Sequence, residues 1–334
     1  MWGCDRMAVD TILELNRRVT WIDTAKGYGI ILVVVGHICL GAADGGLSWF
    51  IFLFHMPLFF ILSGLLMKAE PVGSGLRKKA RSLLVPYAAF LILFGGLMVG
   101  KDILRHASPS SDLFDLAYGG DRLSGYVGVF WFITCLFLSQ SAFMALLSRV
   151  QAPFSAGMLI PVATSLAGAY LLAGHTGPLA VGVVPFAMVM LWVGYAFRSV
   201  LTRSWLPGLI GAVVAAALLC VASGFGMDMK HAVYGPPVLG AMLAVALTFV
   251  IIEIAKWADR VPGLGTLSRA LGHGSMMIMF LHQPIHFALQ KFIPSEPLLA
   301  LVAIAVPMLA YQAVRQARLP SAILLGYFAV AGRP

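Results

Sequence analysis

The sequence predicts an all-α integral membrane protein, a polytopic bundle of about ten transmembrane helices. Three observations support this fold class. The 334 residues are 60% hydrophobic and only 11% charged, whereas soluble domains carry about 25% charged residues. The mean hydropathy is +0.90. The apolar residues stand in long continuous runs, which favours helices over the alternating strands of a transmembrane barrel.

Ten apolar segments approach the ~20 residues that a helix needs to cross a bilayer. No internal repeat is evident among them. We group them as one membrane domain, residues 24–318, between a short cytoplasmic or interfacial segment (1–23) and a cytoplasmic tail (319–334). The predicted spans are 24–42, 48–67, 83–100, 126–147, 157–174, 179–197, 207–223, 235–255, 272–290 and 297–314.

The distribution of Lys and Arg predicts the orientation, because cytoplasmic loops are enriched in these residues. With a cytoplasmic N-terminus and ten spans, 18 of the 23 Lys and Arg residues lie on the cytoplasmic side. Both termini are therefore expected to be cytoplasmic. The same bias explains most of the net charge of +9, so the charge does not indicate a nucleic-acid partner.

The first two spans carry ionisable residues, which are rare inside membranes and by default mark a substrate path or a reaction centre. His37 lies 13 residues beyond Thr24, or ~20 Å of helix rise, and His55 lies about 10 Å into the returning span. The two histidines are therefore expected at a similar depth. Asp23 and Lys26 stand at the inner end of the first span.

Other residues of the apolar segments have structural interpretations. Pro57 removes a backbone donor from the second span and predicts a local bend. Ser63 and Gly64 allow close approach of a neighbouring helix, and Ser63 is also a candidate pocket residue. Trp131 and Phe132 are typical of a membrane-interface anchor, although Trp131 is kept as a candidate pocket residue.

The ninth span contains two further histidines. His282 and His286 are four residues apart and share a helix face, and Pro284 between them is expected to disturb the helix. Four intramembrane histidines indicate one polar site, although each has the alternative of a neutral histidine hydrogen-bonded between helices. Four histidines could bind zinc, but no intramembrane acidic residue lies near them and no His-Glu-x-x-His motif is present, so no metal is expected. Gln283 and His286 are candidate pocket residues.

The cytoplasmic loop of residues 68–87 concentrates positive charge. Anchoring by the positive-inside rule is the simplest explanation. The functional alternative is a site for a phosphate-rich cytosolic donor such as a coenzyme A thioester. Lys26 would add to that site, held by Asp23 across one helical turn. The candidate donor-binding residues of the loop are Arg77, Lys78, Lys79 and Arg81.

Together these motifs resemble the acyltransferase-3 family of membrane O-acyltransferases, in particular its fucose 4-O-acetylase-like branch. The first motif is Asp23, Lys26 and the Gly36-His37 pair, with ten residues between Lys26 and His37. Each motif is weak alone, but five in the right order are specific and cover nearly the whole chain. The other four are FHMPLFFILSG (54–64), the basic run ending in Leu-x-Pro-Tyr (77–87), WFITCLF (131–137) and SMMIMFLHQPI (275–285).

The resemblance implies transfer of an acyl group, usually acetyl, from cytosolic acyl-CoA to a carbohydrate or glycolipid hydroxyl at or beyond the outer face. It implies a catalytic role for His37 and donor handling by Lys26 and the basic run. Acetyl-CoA would be a substrate, no permanently bound cofactor is expected, and membrane lipid is the remaining partner. A bacterial inner membrane is the implied location.

The chemistry of such a transfer suits a histidine, because an alcohol needs a base near neutral pH to remove its proton as it attacks a thioester. Loss of solvation inside the membrane would keep His37 neutral. We predict that His37 is the base, with His55 or His282 orienting it or stabilising the oxyanion. Direct transfer and an acetyl-histidine intermediate are both open. The alternative from another class is a histidine-relay transporter or proton-coupled carrier, which would move solute without acyl-CoA.

Overall fold

The computed structural model describes residues 19–39, 46–221 and 226–327, and these ranges contain helices and no strand. An isolated bridge joins Asp228 to Val233. The all-α prediction is confirmed. The α-helices are α1 Thr20–Ile38, α2 Leu47–Phe52, α3 His55–Leu66, α4 Val72–Lys79, α5 Val85–Leu104, α6 Ser110–Tyr118, α7 Trp131–Leu147, α8 Ala156–Leu171, α9 Val184–Ala196, α10 Arg198–Arg203, α11 Leu206–Val221, α12 Leu239–Arg260, α13 Leu264–Leu289, α14 Glu296–Val314 and α15 Arg318–Leu325.

Helices occupy all ten predicted segments within the described residues. Two shorter apolar helices are Ala156–Leu171 and Leu206–Cys220. The count of ten spans stays a prediction, because length and composition single out six segments of the described chain that could cross a membrane. These are Leu47–Leu66, Val72–Leu104, Gly125–Leu147, Pro178–Ala196, Leu239–Arg260 and Glu296–Val314.

Helices α1 and α13 are absent from those six, and both carry polar side chains. They pack against each other more extensively than any other pair of helices in the described chain. Asp23 on α1 and His282 on α13 are buried. Polar groups within a membrane bundle are stable when they face the interior rather than lipid. The buried polar side chains of α1 and α13 therefore face other helices of the bundle.

Two glycines bring α1 and α13 into backbone contact. A Cβ atom on Gly272 would overlap the backbone oxygen of Asp23, and one on Gly27 would overlap that of Ser268. Small residues at a crossing are the usual means by which membrane helices approach closely. The crossing fixes the position of α13 along α1, and with it the positions of the histidines that both helices carry.

The second predicted span is broken into α2 and α3. Phe54 has non-helical backbone angles (φ −144°, ψ −15°), and α3 begins at His55. Pro57 explains the break, because it lacks the N–H that would otherwise bond to the carbonyl of Leu53. The predicted bend is confirmed. A Cβ atom on Gly64 would overlap the backbone oxygen of Leu191, so the predicted close approach at Gly64 is confirmed as well.

A π turn, Ala80–Leu84, joins α4 to α5 without ending the helix. Pro86 lacks the N–H that would bond to the carbonyl of Ser82, which favours the wider turn. The region after residue 318, predicted as a tail, begins with α15, which packs on α5. Gly326, with φ +67°, lies against the backbone of Ser82. Residues 328–334 lie outside the described ranges, as do residues 1–18 of the predicted N-terminal segment.

Candidate active site

A cavity of about 620 Å³ lies along the inner face of α1. Lys26 and His37 both line it, and the eleven steps along the helix from one to the other give ~16 Å of helix rise. We define the basic end by five residues, Asp23, Lys26, Lys79, Ser82 and His273. We define the histidine end by six residues, His37, Phe52, His55, Asp228, Lys230 and His231.

Three of the predicted histidines meet at the histidine end. The ring centroids of His37 and His282 are 5.6 Å apart, and the two planes are tilted by 32°. Phe52 lies edge-on to His37 at 5.7 Å and to His55 at 4.8 Å. His37 and His55 line the cavity, whereas His282 is completely buried beside His37. The structure therefore brings residues from α1, α3 and α13 into one cluster.

Backbone carbonyls fix which ring nitrogens of this cluster carry protons. His55 Nδ1 lies 2.9 Å from the carbonyl oxygen of Ile51, and His282 Nδ1 lies 3.0 Å from that of Ile278. A carbonyl only accepts, so both Nδ1 atoms donate and both Nε2 atoms of the neutral rings are acceptors. His282 Nε2 is buried without a hydrogen-bond partner among the described residues. His282 Nε2 therefore needs a hydrogen-bond donor, and the ring of His37 lies beside it.

The charges of the basic end are tied to one another. Asp23 Oδ1 lies 3.4 Å from Lys26 Nζ, and Asp23 Oδ2 lies 3.1 Å from His273 Nε2. Lys79 and Ser82 reach the cavity from α4 and the π turn. This end therefore holds cationic groups in place, and such groups form strong hydrogen bonds with anions.

A second network outside the cavity fixes the ends of three helices. Asp259 of α12 accepts from Thr20 Oγ1 at 2.6 Å and from Thr24 Oγ1 at 2.7 Å, both on α1. Arg269 of α13 donates to Asp259 Oδ1 at 2.6 Å. Because one partly buried carboxylate contacts groups from both other helices, α1, α12 and α13 are held in register next to the basic end.

A family model described as an acyltransferase domain, that of acyltransferase-3, matches residues 19–311. The chain belongs to the acyltransferase-3 family. The matched range contains every cavity residue named above, and the predicted family is thereby confirmed. The assignment to the fucose 4-O-acetylase-like branch stays a prediction.

One curated relative of this acyltransferase-3 chain is the nodulation protein NolL of Mesorhizobium japonicum (strain LMG 29417 / CECT 9101 / MAFF 303099). It is 30% identical over 136 residues, which cover 37% of this chain and 35% of the relative. The chain thus matches about a third of the length of that relative. No solved structure matches the chain.

Three of the four predicted pocket residues of this acyltransferase-3 chain line the cavity, namely Ser63, Trp131 and Gln283. Gln283 Oε1 is buried without a hydrogen-bond partner among the described residues. Trp131 and Phe132 are 5% and 6% exposed. Their interpretation as a membrane-interface anchor is wrong, because neither ring is available to lipid and both line the cavity.

The fourth predicted pocket residue, His286, is placed elsewhere. Its ring stacks on Phe287 with centroids 5.2 Å apart, and it is not among the cavity residues. Helix α13 continues through Pro284 to Leu289, so the predicted disturbance does not interrupt the helix. His282 and His286 therefore have different environments although they are only four residues apart.

The predicted donor-binding residues also divide into those that line the cavity and those that do not. Lys26, Asp23 and Lys79 line the cavity, whereas Arg77, Lys78 and Arg81 do not. Arg77 and Lys78 are exposed. A helix turns by about 100° per residue, so only one residue of the run 77–79 faces the interior.

Sequence reasoning missed several residues of the site. His273 had a signal, since it is an ionisable residue at the inner end of the ninth predicted span. No sequence signal marked the three residues Asp228, Lys230 and His231. They lie in a connection between helices, and its position beside the histidines depends on the tertiary fold. Across the described ranges, no group of three or more His, Cys, Asp or Glu residues is arranged to hold a metal ion.

Proposed function

We propose that this protein is a membrane O-acetyltransferase that moves an acetyl group from cytosolic acetyl-CoA to a carbohydrate hydroxyl. One observation carries the proposal: a single cavity connects the cationic groups Lys26 and Lys79 with His37. Membership of the acyltransferase-3 family supports acyl transfer over the alternative of a histidine-relay carrier.

The donor is proposed to enter at the basic end, which would face the cytoplasm of a bacterial inner membrane. Lys26 and Lys79 would pair with the phosphates of coenzyme A, and the Ser82 hydroxyl would add a hydrogen bond. The pantetheine arm would then lie along the apolar middle of the cavity and present the thioester at His37. That middle section is lined by Ile30, Val33, Phe59 and Met276.

His37 is the proposed general base, and His282 is the proposed positioning residue. One N–H of the neutral His37 ring would donate to the unpaired His282 Nε2, leaving the other nitrogen as a lone pair for the acceptor alcohol. As the alcohol oxygen attacks the thioester carbon, its proton passes to His37. The tetrahedral intermediate then releases the coenzyme A thiolate, which takes the proton from His37.

The oxyanion requires a hydrogen-bond donor, and the predicted candidate His55 is unsuited to it in this tautomer. Its Nδ1 proton is used by the Ile51 carbonyl, so neutral His55 offers an acceptor on its other nitrogen. The side-chain amide of Gln283, which lines the cavity next to His282 along α13, provides N–H donors of the right kind. We assign oxyanion stabilisation to Gln283 and leave His55 to orient the acceptor.

The proposal is tested with membranes that contain wild type, His37→Gln or His175→Gln. Radiolabelled acetyl-CoA and a cell-surface glycan extract are supplied, and label in the glycan is counted. His175 is an exposed loop histidine, so its variant is the matched control. Loss of a general base should lower the transfer rate about 10³-fold in His37→Gln, with the control unchanged.

Two outcomes contradict the proposal. Equal labelling by wild type and His37→Gln, at equal amounts of folded protein, removes His37 as the base. A carrier would instead leave the glycan unlabelled while moving solute across vesicles without acyl-CoA, and a flux assay with the same membranes detects this.

A further inference from the structure

The connection between α11 and α12 contains a preformed polar turn. Its 3₁₀ turn, Met229–His231, is closed by two backbone hydrogen bonds of 2.9 Å between Asp228 and Val233. Asp228 Oδ1 accepts from the backbone N–H of Lys230 at 2.9 Å, and Asp228 Oδ2 lies 2.7 Å from His231 Nδ1. The carboxylate is therefore held in one orientation by its own turn.

This polar turn forms one wall of the histidine end. Asp228, Lys230 and His231 all line the cavity. The charge of Lys230 acts on His37, and that of Asp228 acts on His55. The turn is therefore within electrostatic range of the proposed base, on the opposite side of the cavity from the basic end.

Lys230 is fixed from outside the turn. Its Nζ donates to the backbone oxygen of Leu123 at 2.7 Å, which joins the turn to the connection before α7. Burial lowers the pKa of Lys230, while the carboxylates of Asp228 and Asp121 oppose that change. An ammonium group needs three acceptors, so Lys230 has N–H capacity left for a ligand.

We propose that Asp228 and Lys230 bind the acceptor as a neutral carbohydrate and direct one of its hydroxyls toward His37. A carboxylate accepts hydrogen bonds from hydroxyls and an ammonium donates to them, so a fixed pair matches two adjacent hydroxyls of a sugar. The Asp228 carboxylate stands beside the Lys230 ammonium in this cavity wall and also pairs with His231 at 2.7 Å, so the wall presents no isolated positive charge. This balance disfavours an acceptor with its own carboxylate or phosphate.

The inference rests on the proposed function and names the acceptor side of that same site. It is tested with Asp228→Asn and Lys230→Met against the control Asp115→Asn. Asp115, on helix α6, pairs with Arg122 at 3.0 Å through side chains that are 36% and 50% exposed, and it does not line the cavity. The glycan extract is separated by anion exchange into neutral and acidic fractions, and transfer of label from acetyl-CoA to each fraction is measured at varied glycan and donor concentrations.

Label should enter the neutral fraction with wild type. Asp228→Asn and Lys230→Met should each raise the glycan concentration for half-maximal rate about tenfold, the equivalent of ~1.4 kcal/mol. The KM for acetyl-CoA should not change, and Asp115→Asn should behave like wild type. Gel filtration in detergent confirms that each variant is folded. The two substitutions remove different atoms, so a shared rise in the half-maximal glycan concentration would not come from one local distortion of the turn.

Three outcomes overturn the inference. If both folded variants keep the wild-type half-maximal glycan concentration, the turn does not bind the acceptor, although acyl transfer itself still stands. Label found only in the acidic glycan fraction contradicts the proposal that the acceptor is neutral. If wild type labels neither fraction, the proposed function itself is contradicted, and the proposed acceptor site is contradicted as well.

Discussion

The two ends of the cavity differ in how the polar side chains around them are paired. At the basic end the carboxylate of Asp23 contacts both Lys26 and His273, and the network around Asp259 lies beside it. At the histidine end Asp228 is paired with His231, but beside that end the acceptors His282 Nε2 and Gln283 Oε1 are buried without hydrogen-bond partners among the described residues. Paired charges hold a ligand site in a fixed geometry, whereas unpaired buried acceptors cost free energy unless a function uses them. The basic end is therefore a fixed arrangement of charges, whereas the acceptors beside the histidine end are open to a hydrogen-bond donor.

The largest effect is expected from breaking the contact on which both ends depend. Gly272→Ala places a methyl group against the backbone of Asp23, and such overpacking costs about 3 kcal/mol. The Tm in detergent and the transfer rate should both fall. Gly73→Ala is the control, because its Cβ would meet no atom within 4 Å. Equal Tm values for the two variants would show that the α1 and α13 backbones can separate at no cost.

Replacing His282 tests the histidine end alone. His282→Gln removes the acceptor that is proposed to orient His37, and we expect kcat to fall about 10²-fold, less than for loss of the base itself. The KM for acetyl-CoA should be unchanged, and gel filtration in detergent should recover as much folded His282→Gln as wild type, which separates this result from simple destabilisation. A proportional rise in that KM would assign His282 to donor binding instead.

The basic end should show the converse pattern. Lys26→Met and Lys79→Met each remove one charge-assisted contact, worth about 1.5 kcal/mol, so the KM for acetyl-CoA should rise about tenfold. The kcat should stay constant, and the wild-type KM should rise with ionic strength. Arg77→Met is the control from the same basic run, because Arg77 is exposed and outside the cavity. A kcat defect in Lys26→Met would show that the two ends are not independent.

The smallest effect is expected one helical turn from the proposed positioning residue. His286→Gln should change kcat and KM by less than about twofold, since a substitution outside a specific contact costs about 0.5 kcal/mol or less. Steady-state kinetics beside His282→Gln make the comparison direct. A defect in His286→Gln as large as that of His282→Gln would extend the histidine end beyond the cavity described above.

Sequence patterns predicted much of this arrangement, and the failures have a common cause. The meeting of His37 and His55 at one end of the cavity followed from helix rise along two adjacent chain segments, and the break before His55 followed from Pro57. The link from Asp23 to His273 could not be predicted in this way, because it joins residues 250 positions apart. Hydrophobic periodicity gives a helix its buried face but not its register against a distant helix. The same limit explains why Lys79 could not be separated from Lys78 and Arg77.

The distance along the chain between Asp23 and His273 also has a consequence for biosynthesis. Helix α1, which carries Asp23 and Lys26, leaves the ribosome before α13, and His273 is made 250 residues after Asp23. At about 5–20 residues per second, this takes roughly 12 to 50 s. During that interval α1 lacks the helix that shields its charged residues from lipid. Insertion of this protein therefore requires that the translocation machinery, or one of the intervening helices, hold α1 until α13 arrives.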